Sequence, residues 1–221
     1  MKKIVSLILI FVMSFTLAAC GNQNTEDSTI NPSDNTGRSQ DSKNDDTRGE
    51  AENQNRTDKQ KGDVLVVYFS ATGTTKKIAE YMADGMSADI YEIVPEEPYT
   101  SEDLNYNDSS SRSTTEQNDS SARPTISGTI DNMDQYDAIF IGFPIWWGEE
   151  PRIIDTFVES YDFTGKEIAV FCTSSSSGID SVVQNLEKNA GTGTWLEGNR
   201  FSGSASSSDV MEWVNRLGFS Q

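Results

Sequence analysis

The stretch Val64-Leu65-Val66-Val67-Tyr68-Phe69-Ser70-Ala71-Thr72-Gly73-Thr74-Thr75 decides the fold. Its first six residues are apolar or aromatic with no polar alternation, which predicts a strand buried on both faces. Downstream, Ile78, Ala79, Met82 and Met86 recur at helical spacing, so Thr75 to Met86 is predicted to be a helix. Between strand and helix lies a short loop of hydroxyl-bearing and small residues. Its N–H groups sit at the positive end of the helix dipole, where an anion is favoured. Gly73 permits a tight turn and close backbone approach. The pattern is neither the G-K-[ST] phosphate loop nor the dinucleotide G-x-G-x-x-G.

The same texture repeats along the chain. Further strands are predicted at Ile90 to Val94, Asp137 to Phe143, Ile168 to Cys172 and Thr194 to Phe201. Helices are predicted at Pro151 to Ser160, Ile179 to Lys188 and Ser207 to Leu217. Such alternation predicts an α/β fold: a doubly wound five-stranded parallel sheet with helices on both faces and right-handed crossovers. Trp195, Trp213 and Cys172 read as core residues. Residues 95–135 lack apolar periodicity. Within them Ser113-Thr114-Thr115-Glu116 has the form of a capping box, so a short helix is expected to start near Ser113.

In an open parallel sheet, ligands bind beyond the carboxyl ends of the strands, near the point where strand order reverses. Three loops are placed there. The first is Ser70, Ala71, Thr72, Gly73, Thr74 and Thr75, with Lys76 and Lys77 following on the helix. The second is Pro144, Ile145, Trp146, Trp147 and Gly148, followed by Glu149, Glu150 and Pro151. Two adjacent tryptophans in a surface loop suit the covering of a flat apolar group. The third is Thr173, Ser174, Ser175, Ser176, Ser177 and Gly178.

These residues resemble the flavodoxin family. Ser70, Thr72, Gly73 and Thr75 match its S-x-T-G-x-T phosphate loop. The segment Gly142 to Pro151 closely resembles the G-x-P-I-W-W-G-x-x-P of a subfamily that often occurs as lipoproteins. Tyr161 to Lys166 looks like its Y-D-F-x-G-K. The resemblance runs from about Asp63 to Leu217. It implies strand order 2-1-3-4-5 and FMN as cofactor, with Trp146 or Trp147 stacking on the flavin. Thr173, Ser177 and Gly178 match the subfamily's T-x-G-G-S-G loop, but Ser175 and Ser176 replace its glycines. If those glycines supply positive φ or close backbone approach, serine there strains the loop.

The N-terminal part reads differently. Met1-Lys2-Lys3 and the apolar run Ile4 to Ala19 form a signal peptide, residues 1–19, ending in Leu17-Ala18-Ala19-Cys20-Gly21. Small residues directly before a cysteine resemble the lipobox of bacterial lipoproteins, which implies acylation of Cys20. Residues 20–62 are polar and of mixed charge, too poor in apolar groups to fold alone. As a flexible tether they would span roughly 30–40 Å. Residues 63–221 form the domain.

Composition narrows the chemistry. The 221 residues include no histidine, and the net charge is -18. Residues 63–221 carry -17 of it. That excludes nucleic acid as a partner and suits a basic protein partner. No metal motif is present, and the redox chemistry is assigned to a bound flavin, with no catalytic side chain. Glu149 and Glu150 are expected beside the flavin, where their charge would lower the potential of its fully reduced state. The expected function is electron transfer on the extracytoplasmic face, with membrane contact through the lipid on Cys20 alone. Two alternatives are an FMN-dependent NAD(P)H or quinone-type reductase and a non-redox lipid-anchored module that has lost flavin.

Overall fold

The computed structural model describes residues 63–219. The signal peptide, Cys20 and the tether to residue 62 lie outside the described residues.

Among the described residues eight strands form: β1 (Asp63–Tyr68), β2 (Asp89–Glu92), β3 (Val94–Pro95), β4 (Ile126–Ser127), β5 (Tyr136–Pro144), β6 (Glu167–Thr173), β7 (Thr194–Trp195) and β8 (Asn199–Phe201). The helices are α1 (Thr74–Met86), α2 (Arg112–Asn118), α3 (Arg152–Glu159), α4 (Asp180–Ala190) and α5 (Ser207–Arg216). The main sheet is parallel, in the order β2-β1-β5-β6 followed by β7 and β8, which both pair with β6. Its five positions therefore follow the expected order 2-1-3-4-5.

The continuous apolar strands are explained by two cores. Leu65, Val67 and Phe69 of the first strand segment face one core with Ile141 and Val170, covered by Phe157 of α3 and Leu186 of α4. Val66 and Tyr68 face the other with Phe140 and Phe171, covered by Met82 of α1 and Trp213 of α5. The period-two alternation is present, but both faces are apolar, so the sequence shows none of it.

Three details differ from the sequence-based expectation. The last strand position is interrupted. β7 pairs with Glu167 and Ile168, β8 with Phe171 to Thr173; the Leu196 N–H still donates to Ile168 O at 2.8 Å, and residues 197–198 leave the ladder. Gly198 sits there because a Cβ would meet Val183 Cγ2 at 2.7 Å and Val170 O at 3.1 Å. The second strand also breaks. After β2 the chain turns so that β3 pairs antiparallel with β4, and this small ribbon closes the excursion between them. Ser113 does not cap a helix. It lies inside α2, where its hydroxyl donates to Asp103 O at 2.6 Å. Glu116 instead accepts from Arg112 Nε at 2.7 Å and from the Tyr99 hydroxyl at 2.5 Å. The capping box that does form is Ser206 with Asp209, at the start of α5.

Candidate functional site

The carboxyl ends of β1, β5 and β6, with the excursion between β3 and β4, enclose a cleft of about 730 Å³. That is within the range of small-molecule sites. Ala71 and Thr72 of the first loop face it, with Pro144, Ile145, Trp146 and Trp147 of the second and Ser176 and Ser177 of the third. Leu104, Tyr106 and Ser113 complete the lining. Those three come from the segment that periodicity left irregular. The signal that marks them is the pair Leu104 and Tyr106, isolated apolar residues in a polar run; Tyr106 is 72% exposed.

The first loop is poised for an anion. None of the backbone N–H groups from Ser70 to Thr75 finds a partner among the described residues. The Ser70 hydroxyl is buried and unpartnered. Gly73 stands at the N-cap of α1 with φ +84°, as a tight turn requires. Thr75 does not line the cleft. Its hydroxyl is buried and hydrogen-bonded to that of Thr173 at 2.7 Å, which ties the first loop to the end of β6. Thr72 and Thr74 share a long contact of 3.4 Å. Among the described residues no lysine or arginine lines the cleft. Lys76 pairs with Glu92 at 3.8 Å, and Lys77 lies over the Tyr81 ring.

The second loop is a two-residue hairpin. Trp146 and Glu149 exchange backbone hydrogen bonds of 3.0 Å in both directions. Between them Trp147 has φ +50° and Gly148 φ +88°, the left-handed pair of a primed turn. Glycine suits such a turn; tryptophan does not, and its left-handed backbone costs about 1–2 kcal/mol. The two indoles are held differently. Trp146 packs edge-on against Phe69 and Tyr99, with centroids 5.6 and 5.2 Å away. Trp147 is 48% exposed. The strained residue is thus the one that presents an open aromatic surface to the cleft.

The third loop is unstrained. Among the described residues the non-glycine positive φ values belong to Ser87 and Trp147, so Ser175 and Ser176 carry none. The backbone strain expected from positive φ at these two positions does not arise. The Ser174 hydroxyl accepts from the N–H of Ser176 at 3.2 Å and of Ser177 at 2.9 Å, which shapes the turn. Gly178 has an ordinary φ and open space around its Cα, so nothing in the structure requires glycine there.

Glu149 and Glu150 are not a pair of free charges beside the cleft. Glu149 accepts from Arg152 Nη2 at 2.6 Å. Glu150 is 1% exposed, and burial pushes its carboxyl up to about 7. The sequence placed both side chains by proximity alone; the hairpin turns the second one inward.

The family model described as Flavodoxin matches residues 63–217. Among solved structures, a candidate flavoprotein from Bacteroides uniformis is 42% identical, the match covering 71% of this chain and 99% of that one with a TM-score of 0.67. One from Bacteroides eggerthii is 39% identical over 71% of this chain and 98% of that one, with a TM-score of 0.67. A flavoprotein from Lactobacillus acidophilus, solved in complex with FMN, is 25% identical over 69% and 98%, with a TM-score of 0.51. Among curated proteins none matches the chain.

Burial of Glu150 makes stability pH-dependent. Its folded value is raised, so the folded chain keeps a proton that the unfolded chain releases. The stability it contributes is full below about pH 4.5 and is lost as pH rises to about 7. Glu150→Gln should therefore unfold later than wild type in urea at pH 8, by about 1–3 kcal/mol. The difference should shrink at pH 5. An equal difference at both pH values would contradict this account.

Proposed function

The chain belongs to the flavodoxin family, and on that footing we propose that its cleft binds FMN and that the protein carries electrons on the outer face of the cell membrane. The observation that carries this reading is the first loop: among the described residues its N–H groups and the buried Ser70 hydroxyl at a helix N-terminus have no partner, and no cation lines the cleft. A phosphate monoester supplies the acceptors these donors lack. The FMN-bound relative from Lactobacillus acidophilus supports the choice of cofactor.

When bound, FMN supplies the reversible uptake of electrons. The protein's part is to hold it. Ser70 and the N–H groups of Thr72 to Thr75 are assigned to the phosphate. Trp147 offers the flat surface for the ring, and Trp146, fixed by Phe69 and Tyr99, supports the loop. Ser176 and Ser177 border the same space. With Glu149 paired and Glu150 buried, a low potential would come from the overall acidic charge rather than from two adjacent carboxylates.

The acidic surface favours a basic redox partner. The lipobox-like sequence at Cys20 supports a lipid anchor, and residues 20–62 would let the domain reach away from the membrane. No helix among the described residues is long and apolar enough to cross a membrane.

Two experiments test these readings. Wild-type protein titrated with FMN should quench flavin fluorescence and turn yellow. Trp147→Asn should bind roughly ten- to a hundredfold more weakly, since stacking is worth about 1–3 kcal/mol. The same variant should be more stable without flavin by about 1 kcal/mol, because asparagine tolerates the left-handed turn. A wild-type chain that stays colourless contradicts the FMN reading. For the anchor, Cys20→Ser should move the protein from the membrane fraction to the soluble one; unchanged fractionation would contradict lipid attachment there.

A further inference from the structure

Among the described residues, three buried polar atoms in one cluster behind the Trp147 hairpin have no hydrogen-bond partner: Gln117 Oε1, Glu150 Oε2 and Arg152 Nε. Buried polar groups are paired with few exceptions, so three in one cluster need a reason. The residues that carry them are linked through main-chain carbonyls. Gln117 Nε2 donates to Trp146 O at 3.2 Å and to Glu150 O at 3.1 Å, so one amide of α2 grips both ends of the hairpin. Arg152 Nη2 donates to Gln117 O at 3.0 Å and to Glu149 Oε2 at 2.6 Å.

We propose that Glu150 is a proton-linked positioning residue: its carboxyl, by holding or releasing a proton, chooses between Gln117 and Arg152 and so sets how firmly the Trp147 turn is held at the cleft.

The chemistry follows from the donor inventory. A protonated carboxyl has an O–H to donate, and Gln117 Oε1 is an acceptor without a donor. Their pairing satisfies both and leaves Gln117 Nε2 on the hairpin carbonyls. An ionised carboxylate only accepts, and the free N–H is Arg152 Nε. Drawing Arg152 towards Glu150 weakens its hold on Glu149 and on Gln117 O. The released proton goes to solvent. The strained Trp147 backbone makes the hairpin sensitive to such a change, because it keeps its left-handed form only while its surroundings enforce it.

Other charged groups border the cluster. Asp155 of α3 faces Arg152 Nη1 at 3.5 Å and accepts from Asn189 of α4 at 2.9 Å. Burial raises its carboxyl too, opposed by Asn189, Arg123 and Arg152. Asp119, just after α2, is held below the usual carboxylate range by Ser121. Glu149 completes the set. Glu150 is the carboxyl placed near neutrality, at about 7, by its burial.

The role toward flavin rests on the FMN-binding function proposed above; the hairpin's response to pH does not. The full chain without flavin is followed by tryptophan fluorescence from pH 5.5 to 8.5, with Trp147→Phe subtracted to isolate Trp147. Wild type should show a transition centred near pH 7. Glu150→Gln should abolish it, and Asp155→Asn should keep it. FMN affinity is then measured over the same range. Wild type should weaken above the transition by roughly three- to tenfold more than Glu150→Gln, as the competent turn becomes less populated. The variant serves as the reference because a phosphate monoester itself ionises near pH 6. A flat wild-type fluorescence profile, a transition that persists in Glu150→Gln, or identical affinity profiles would overturn the proposal. Failure of wild type to bind FMN at any pH would refute the cofactor instead, leaving the fluorescence result to decide the role of Glu150.

Discussion

β1, β5 and β6 are covered by helices on both faces, and this double burial constrains everything else. Their side chains are committed to two apolar cores. Polar groups can cluster without opening either core only where the strands end. The three loops at those carboxyl ends are tied to one another there. Thr75 bonds Thr173, the Ile145 N–H bonds Thr173 O at 3.1 Å, and the Ser174 N–H bonds Phe201 O at 3.1 Å. These bonds hold the loops together and leave the donors of the first loop unpaired among the described residues.

Beyond these bonds the structure accepts local costs. Trp147 occupies a backbone conformation that favours glycine or asparagine. Glu150 is taken out of water beside an arginine whose Nε is left unpaired. Strain and unpaired polar groups persist where the surrounding structure overdetermines them, and they concentrate at functional sites. Here both costs fall on one hairpin, the one that carries the exposed indole.

What the sequence discloses follows the range of the forces involved. The strand, loop and helix from Val64 to Met86 are legible because buried strands and amphipathic helices leave strong apolar signatures. The excursion from residue 96 to 125 leaves none. Its order comes from short-range bonds, such as Asp108 with Ser110 and Asp119 with Ser121, and from the arginine-bracketed Tyr99 and Glu116 pair. So neither Tyr106 at the cleft nor Gln117 on the hairpin carbonyls is placed by periodicity. Whether Ser175 and Ser176 stand at positive φ is a property of the folded backbone, which residue types alone do not disclose. Glu149 and Glu150 looked equivalent because adjacent residues share a sequence context; the turn between Trp146 and Glu149 sends them to different environments. The break between β7 and β8 is written in Gly198, but its meaning depends on Val183 and Val170, which only the fold brings near.

The central claim is that a cation-free loop of N–H groups and the Ser70 hydroxyl holds a phosphate. The most direct measurement compares the dissociation constants of FMN and riboflavin, which differ by that phosphate, at low and high salt. The account predicts that riboflavin binds at least roughly a hundredfold more weakly, since even two of the loop's charge-assisted hydrogen bonds are worth about 3 kcal/mol, and that salt leaves riboflavin affinity unchanged and does not weaken FMN, whose phosphate is repelled by the acidic domain until that charge is screened. Equal affinities for the two flavins would take the phosphate off the loop and contradict it.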